Sequence, residues 1–160
     1  PDTNGQFSSS RYALFFEPGV HDVNVDVGYY VTVHGLGRAP ADTTLNNLQC
    51  LNLSFNTGLG ALDTFWRSAE NVRIPKNMTW AVSQASPLRR IEVDGDLNLF
   101  DGAGYASGGY MSDVKINGTV NPGGQQQWFG RNTEANSWSH IGWNMVNVGS
   151  EGAPETYCGA

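Results

Sequence analysis

Apolar and polar residues take turns along most of this chain, in short runs cut every few residues by Gly, Pro, Asn or Asp. That is the pattern of half-buried strands joined by tight turns. The runs lie at 12–16, 29–33, 44–48, 71–74, 80–83, 90–93, 110–116, 127–129 and 141–148. One segment, "LDTFWRSAE" at 62–70, carries helical spacing instead, enough for a turn or two of helix.

Several runs end alike. "VTVHGLG" (31–37), "IEVDGDL" (91–97), "VKINGTV" (114–120) and "MVNVGSEG" (145–152) each place a glycine just behind an apolar-x-apolar core. From Ile91 to Val114, Phe129 and Met145 the successive intervals are 15 to 23 residues, the length of one coil in a solenoid. The expected fold is therefore an all-β solenoid, in which like positions of successive coils stack into ladders and Gly or Asn turns the corners. A β-sandwich, with turns at similar intervals, is the competing all-β architecture.

Composition narrows the class further. At 160 residues the chain has the size of one domain, so a single β-helix domain or fragment over 1–160 is expected, with 1–10 a flexible lead-in and 155–160 a tail. Sparse charge (15%), 20 glycines and five tryptophans fit a β-rich extracellular protein better than a helical one. The net charge of −6 comes without a basic patch, which argues against a nucleic-acid partner. No apolar run approaches the roughly 18 residues that span a bilayer, so no membrane partner is expected. The chain opens on "PDTNGQFSSS", without initiator methionine or secretory leader, as a processed or partial product would. Sequons at Asn52, Asn77 and Asn117 point to a glycosylated, secreted protein, although chance would supply about two in so Asn-, Ser- and Thr-rich a chain. Cys50 and Cys158 could form a disulfide with each other, pair outside the chain, or stay free.

Chemistry-bearing residues fall into two sets. Glu92, Asp94, Asp96, Asp101 and Asp113 are the carboxyl candidates; Glu92 and Asp94 would project from one strand face about 7 Å apart, a separation compatible with glycoside hydrolysis. Most exposed strands carry such pairs, and a solvated face or turn cap is the structural alternative. The second set suits sugar contact: Trp66, Arg67, Trp80, Gln84, Gln127, Arg131, Asn132, Trp143 and Asn144, with Trp128 and Trp138 beside them. Indole faces pack on sugar C–H groups, while amides and guanidinium groups pair with hydroxyls. Tryptophan also fills solenoid interiors, so each could be core. In "GGQQQWFGRN", alternation sends Gln125 and Gln127 to one face and Gln126 to the other. A buried amide ladder is the first reading of that run and a groove lining the second. His21, His34 and His140 form no triad, and no metal-ligand spacing, P-loop or dinucleotide fingerprint occurs, so neither cofactor nor metal is expected.

Longer stretches carry a family resemblance. "RYALFFEPGVHDVNVDVGYYVTVHGLGRAP", "TWAVSQASPLRRIEVDGDLNLFD", "ASGGYMSDVKINGTV" and "GGQQQWFGRN", within a match running from Arg11 to Pro154, resemble secreted right-handed parallel β-helix proteins of the pectate-lyase-like superfamily. They are distantly similar to the amino-terminal part of glycoside hydrolase family 55, the β-1,3-glucanases. The resemblance implies a segment of a longer β-helix whose catalytic acid lies outside this chain. It implies binding or hydrolysis of a β-glucan-like polysaccharide, with remaining segments of the same protein as partners. Some relatives carry a cysteine shortly after the position of Cys50; "LNLSFNTGLGALDTFW" has none. The alternative function is an assembly module. Neither terminus shows a clear polar cap, and open coil ends would stack identical chains into an oligomer or filament.

Overall fold

The structure, a computed structural model, describes residues 5–51, 60–102, 104–140 and 142–158, with the side chains of Tyr157 and Cys158 left outside the description. The strands are β1 Tyr12–Phe16, β2 Gly19–Asp26, β3 Val31–Gly35, β4 Thr43–Gln49, β5 Ser68–Ile74, β6 Met78–Thr79, β7 Pro87–Val93, β8 Leu97–Asn98, β9 Gly109–Ser112, β10 Lys115–Asn121, β11 Gln127–Arg131, β12 Glu134–Trp138, β13 Asn144–Val148 and β14 Tyr157–Cys158. A 3-10 turn covers Pro40–Asp42. No helix among the described residues is long and apolar enough to cross a membrane.

Each strand pairs with a strand one repeat away. β1 pairs with β3, and the series continues through β5, β7, β9 and β11 to β13, always parallel. The result is a parallel β-solenoid of about seven turns. A sandwich built from hairpins would need antiparallel neighbours, and among the described residues the antiparallel pair is β13 with β14.

This ladder is the first of three sheets. The second joins the leading parts of β2 and β4 to the trailing parts of β5 and β7, then to the starts of β10 and β12. The third carries the ends of β2 and β4, then β6, β8 and the ends of β10 and β12. The chain turns from the first sheet into the second on a column of left-handed residues: Asn71 (φ 61°), Arg90 (49°), Asp113 (56°), Asn132 (49°) and Gly149 (60°). Asn, Asp and Gly tolerate that conformation better than other residues, which explains most of this column. Its side chains also bond rung to rung. Asn71 Nδ2 donates to the Gly35 and Gly37 carbonyls at 2.9 and 2.7 Å, Arg90 donates to Asn71 Oδ1 at 3.1 Å, and Asn132 Nδ2 donates to Asp113 Oδ1 at 3.3 Å. A second left-handed column, Tyr30, Trp66, Ala85 and Gly108, stands where the chain enters the first sheet.

These corners correct several expectations. The run 110–116 is two strands, β9 and β10, broken at Asp113, because an αL residue cannot continue a pleat. The helical spacing at 62–70 is a turn followed by the start of β5. Trp80 makes a lone bridge to Cys50, and the rest of 80–83 is not strand. "IEV" and "VKI" do stack in the second sheet, Glu92 on Lys115 and Val93 on Ile116. The next rung there is Ala135, whereas Phe129 and Met145 belong to the first sheet.

Between the sheets lies a continuous apolar interior, including Val33, Leu45, Leu48, Ile74, Leu88, Ile91, Val93, Leu97 and Met111. Each fully buried side chain of this kind contributes roughly 1.5–3 kcal/mol. At the carboxyl-terminal coil the inward position on top of Gly130 is Asn147. Its Nδ2 donates to the Pro154 carbonyl at 3.2 Å, while Thr156 Oγ1 bonds the Asn147 backbone N–H and C=O at 3.2 and 3.3 Å. β14 then pairs antiparallel with the last parallel strand. The first-sheet side of this end is therefore covered by polar contacts, contrary to the expectation of two open ends, and a covered edge no longer templates another chain; β12 beside it pairs with β10 and bridges once to Glu151.

Candidate functional site

The loops that lead from the third sheet into the first carry exposed aromatic and amide groups. Two of them bring Tyr105 and Trp143 to face each other, ring centroids 6.3 Å apart and planes 34° apart, both exposed. Beside the rings lies a hollow of about 330 Å³ lined by both of them and by Gly123, Gly124, Gly142, Gln125 and Gln126. The floor has to be glycine. A Cβ on Gly124 would stand 2.8 Å from the Gly104 carbonyl, and one on Gly142 would stand 2.7 Å from that of Gln125. Gln127 and Asn144, next in the chain after Gln126 and Trp143, are register partners. Aromatic walls over a backbone floor, with amides at the edge, are the parts that hold a sugar ring.

Of the sugar-contact candidates, Gln127, Trp143 and Asn144 come together at this corner. Gln84 is exposed and lies across Gly108, two rungs from Gln127 along the same corner. Trp66 is exposed to 37% and stands three rungs away, about 14 Å. Arg131 and Asn132 sit at the opposite edge of the first sheet. Trp80 and Arg67 are corrected outright. Trp80 is fully buried with Nε1 donating to the Ser86 carbonyl at 3.1 Å. Arg67 is buried, donating to the Val27 carbonyl at 2.7 Å and touching Cys50 Sγ at 3.4 Å, with its guanidinium over the Tyr29 ring. A guanidinium so enclosed holds loops together and has no face left for a ligand. Trp128 is core as well.

The glutamine run does not alternate as expected, because β11 starts at Gln127, while Gln125 makes a lone parallel bridge to Ala106 just after the turn at Gly123 and Gly124. Gln125 is buried, Gln126 half-buried and Gln127 exposed. Gln125 Nε2 donates to the carbonyls of Val82 and Leu99 at 3.2 and 3.3 Å, so it ties loops to the core instead of joining an amide ladder.

The carboxyl candidates are spent on structure. Asp94 receives Arg73 in a fork, Nη2 at 2.7 Å and Nε at 3.1 Å, and Glu92 lies 3.9 Å from the same guanidinium. Asp96 Oδ1 accepts the Thr119 N–H at 2.8 Å and Asp113 accepts from Asn132. Asp101 is likewise partnered. Among the described residues no group of three or more His, Cys, Asp and Glu side chains could hold a metal ion.

Asn77 and Asn117 are exposed at the corner between the second and third sheets; Asn52 lies outside the described residues. Cys50 is free and buried in the second coil. The backbone of Cys158 pairs with Asn144 in the last coil, five coil spacings or about 24 Å away. A disulfide needs Cα atoms within about 7 Å, so the two cysteines do not pair with each other. Sequence reasoning missed Tyr105, since a tyrosine inside "GAGYASGG" gave no signal beyond its glycine turns, and it missed Arg89, Tyr110 and Ser112, which acquire meaning from stacking alone.

Comparison with known proteins gives a consistent result. The chain is 48% identical over 156 residues to the exo-beta-1,3-glucanase of Streptomyces sp. (strain SirexAA-E / ActE), a match covering 94% of this chain and 26% of that protein. This chain is a homologue of part of a glycoside hydrolase family 55 glucanase. The solved structure of sacteLam55A from Streptomyces sp. SirexAA-E superimposes on this chain with a TM-score of 0.90 at 46% identity, over 98% of this chain and 29% of that one. A variant of sacteLam55A in complex with glucose gives 0.86 at 45% identity, over 95% and 28%. No family model matches the chain. The chain thus spans about a quarter of the length of the relatives it matches, and at 45–48% identity the similarity is closer than the distant one read from the sequence.

Proposed function

We propose that this chain is the β-helix segment of a secreted glycoside-hydrolase-like protein acting on a β-glucan, and that the hollow beside Tyr105 and Trp143 receives a glucosyl unit. The single observation that carries the reading is that hollow: two exposed rings beside a glycine floor, with Gln125 and Gln126 in its lining. Homology to an exo-beta-1,3-glucanase supports the substrate class. Hydrolysis needs a carboxylic acid at the scissile bond, and the described acids named above are held in side-chain ladders, so the acid comes from elsewhere in a longer protein. Exposed Asn77 and Asn117 are the proposed glycan acceptors. The assembly alternative loses its basis at the carboxyl-terminal end, where residues 154–158 cover the coil.

Titration calorimetry with laminarin oligosaccharides tests this. Trp143→Ala and Tyr105→Ala should each weaken binding by about tenfold or more, roughly 1.4 kcal/mol, and leave the melting temperature unchanged, because both rings are exposed. Unchanged affinity in both variants would remove the hollow from the binding face.

A further inference from the structure

On the outer face of the first sheet, one column of stacked residues reads His34, Glu70, Arg89, Ser112, Arg131 in successive coils. In its lower part the Glu70 carboxylate sits between an imidazole and a guanidinium, 3.9 Å from His34 Nδ1 and 3.6 Å from Arg89 Nη2. In the outer column of the second sheet Arg73, Glu92, Lys115 and Glu134 alternate in sign, with contacts of 3.9 Å for Arg73–Glu92 and 3.2 Å for Lys115–Glu134, before Glu151 follows Glu134 with the same charge. Successive rungs are about 4.8 Å apart, so opposite charges on neighbouring rungs attract.

Ser112, buried at 2% exposure, interrupts the alternation in the first sheet, with an arginine one rung below and another one rung above. The Arg131 side chain is exposed and makes no hydrogen bond or ion pair with any described residue. Arg89 is half-exposed and touches Glu70 on one side only. Asp113, the nearest acid in sequence, turns into the corner and accepts from Asn132 at 3.3 Å, with no ion pair to either arginine. Over this rung lies a depression of about 470 Å³ whose lining includes Arg89, Tyr110, Ser112, Asp113 and Arg131. Tyr110 forms its apolar side, with Phe129 packed behind at 5.5 Å. Two rungs separate the arginine backbones by about 9.6 Å, close enough for both long side chains to reach one oxyanion through charge-assisted hydrogen bonds of about 2.8 Å.

We propose that the Ser112 rung is an oxyanion subsite, and that its ligand is an acidic saccharide whose carboxylate or sulfate lies between Arg89 and Arg131 while the ring rests on Tyr110. The ligand class rests on the carbohydrate reading above; the charge does not. An anion there gives Arg89 a second acidic neighbour beside Glu70 and gives the Arg131 side chain a first one. The hollow at Tyr105 and Trp143 has no cation among its lining residues, so the two positions would divide the work, one taking a neutral ring and the other an acidic substituent.

Calorimetry with three probes decides the matter: neutral laminarin, laminarin oxidised to the carboxylate at C6, and sulfated laminarin, each at low and at physiological salt. The wild-type protein should bind at least one acidic form about tenfold more tightly than the neutral form, and the advantage should shrink as salt rises. A preference between the two acidic forms identifies the oxyanion. Arg131→Gln should abolish the advantage. Ser112→Asp should abolish it too, because the new carboxylate occupies the gap, and it should raise the melting temperature where a disrupted fold would lower it. Equal affinity for neutral and acidic probes, or an advantage that survives both substitutions, overturns the proposal. Acidic binding without neutral binding would instead sink the neutral-glucan reading and leave this subsite standing.

Discussion

The indole of Trp66 lies flat against the ring of Tyr30, centroids 5.5 Å apart and planes 6° apart, and both residues hold left-handed backbones at the same corner of successive coils. The Arg11 guanidinium covers Tyr30 at 3.6 Å. This stack packs the amino-terminal coils together, and it explains why a tryptophan at a loop corner is only partly exposed. Trp66→Ala should lower unfolding free energy by roughly 1–3 kcal/mol, the aromatic and cation–π contribution plus buried area. Laminarin affinity should stay the same. Urea titration beside calorimetry checks both halves of that statement.

Gly109 lies directly under the six-membered ring of Trp128 in the next coil, and a methyl group there would collide with the ring. Gly109→Ala should therefore destabilise by about 1–3 kcal/mol through overpacking. Replacing Trp128 by Leu in the same chain should recover part of the loss, since the two sites share one contact. A double-mutant cycle on urea midpoints would read that coupling; additive losses would mean the collision is relieved elsewhere.

Asn132 holds φ 49° on the corner column. An ordinary side chain in that conformation costs roughly 1–2 kcal/mol and glycine almost nothing. The expected order of melting temperature is Asn132→Gly highest, Asn132→Ala lower and Asn132→Val lowest. If valine matched glycine, the corner would not be held left-handed in solution.

Cys50 gives a pH dependence whose sign can be worked out. Burial pushes the thiol up from 9.0 to about 11, against the lowering pull of Arg67. Between those values the unfolded chain has lost the thiol proton and the folded one keeps it, so stability falls as pH rises through that window. Below pH 9 the contribution is fully present. Unfolding free energy measured from pH 8 to 11 should drop more steeply in the wild-type protein than in Cys50→Ala, by an amount on the order of 2–3 kcal/mol. Parallel curves would show that the thiol is not protected.

Much of the fold was legible in the sequence, and for local reasons. The run at 12–16 is β1 as read, and those at 44–48 and 90–93 fall inside β4 and β7, because alternation and turn residues act over a few positions. β2 and β12 were missed, since His21, Asp22, Glu134 and Asn136 dilute their apolar pattern. The candidate site was half legible. Gln127, Trp143 and Asn144 lie close together in the chain and again in space, while Tyr105 reaches them from a loop 38 residues before Trp143.

Composition and punctuation by themselves determined an all-β chain that turns on Gly, Asn and Asp, and long motifs determined its glucanase kinship. The tertiary structure alone decided which residues face inward. In β5 the neighbours Asn71 and Val72 are both buried, and in β7 the inward positions Leu88 and Ile91 are three apart. Each left-handed corner resets the two-residue alternation, so the side of the sheet on which a side chain emerges depends on how many corners precede it and where they fall. That is why Trp80 is core and Trp143 is surface, why Arg67 is enclosed, and why a serine between two arginines becomes visible once the coils are stacked.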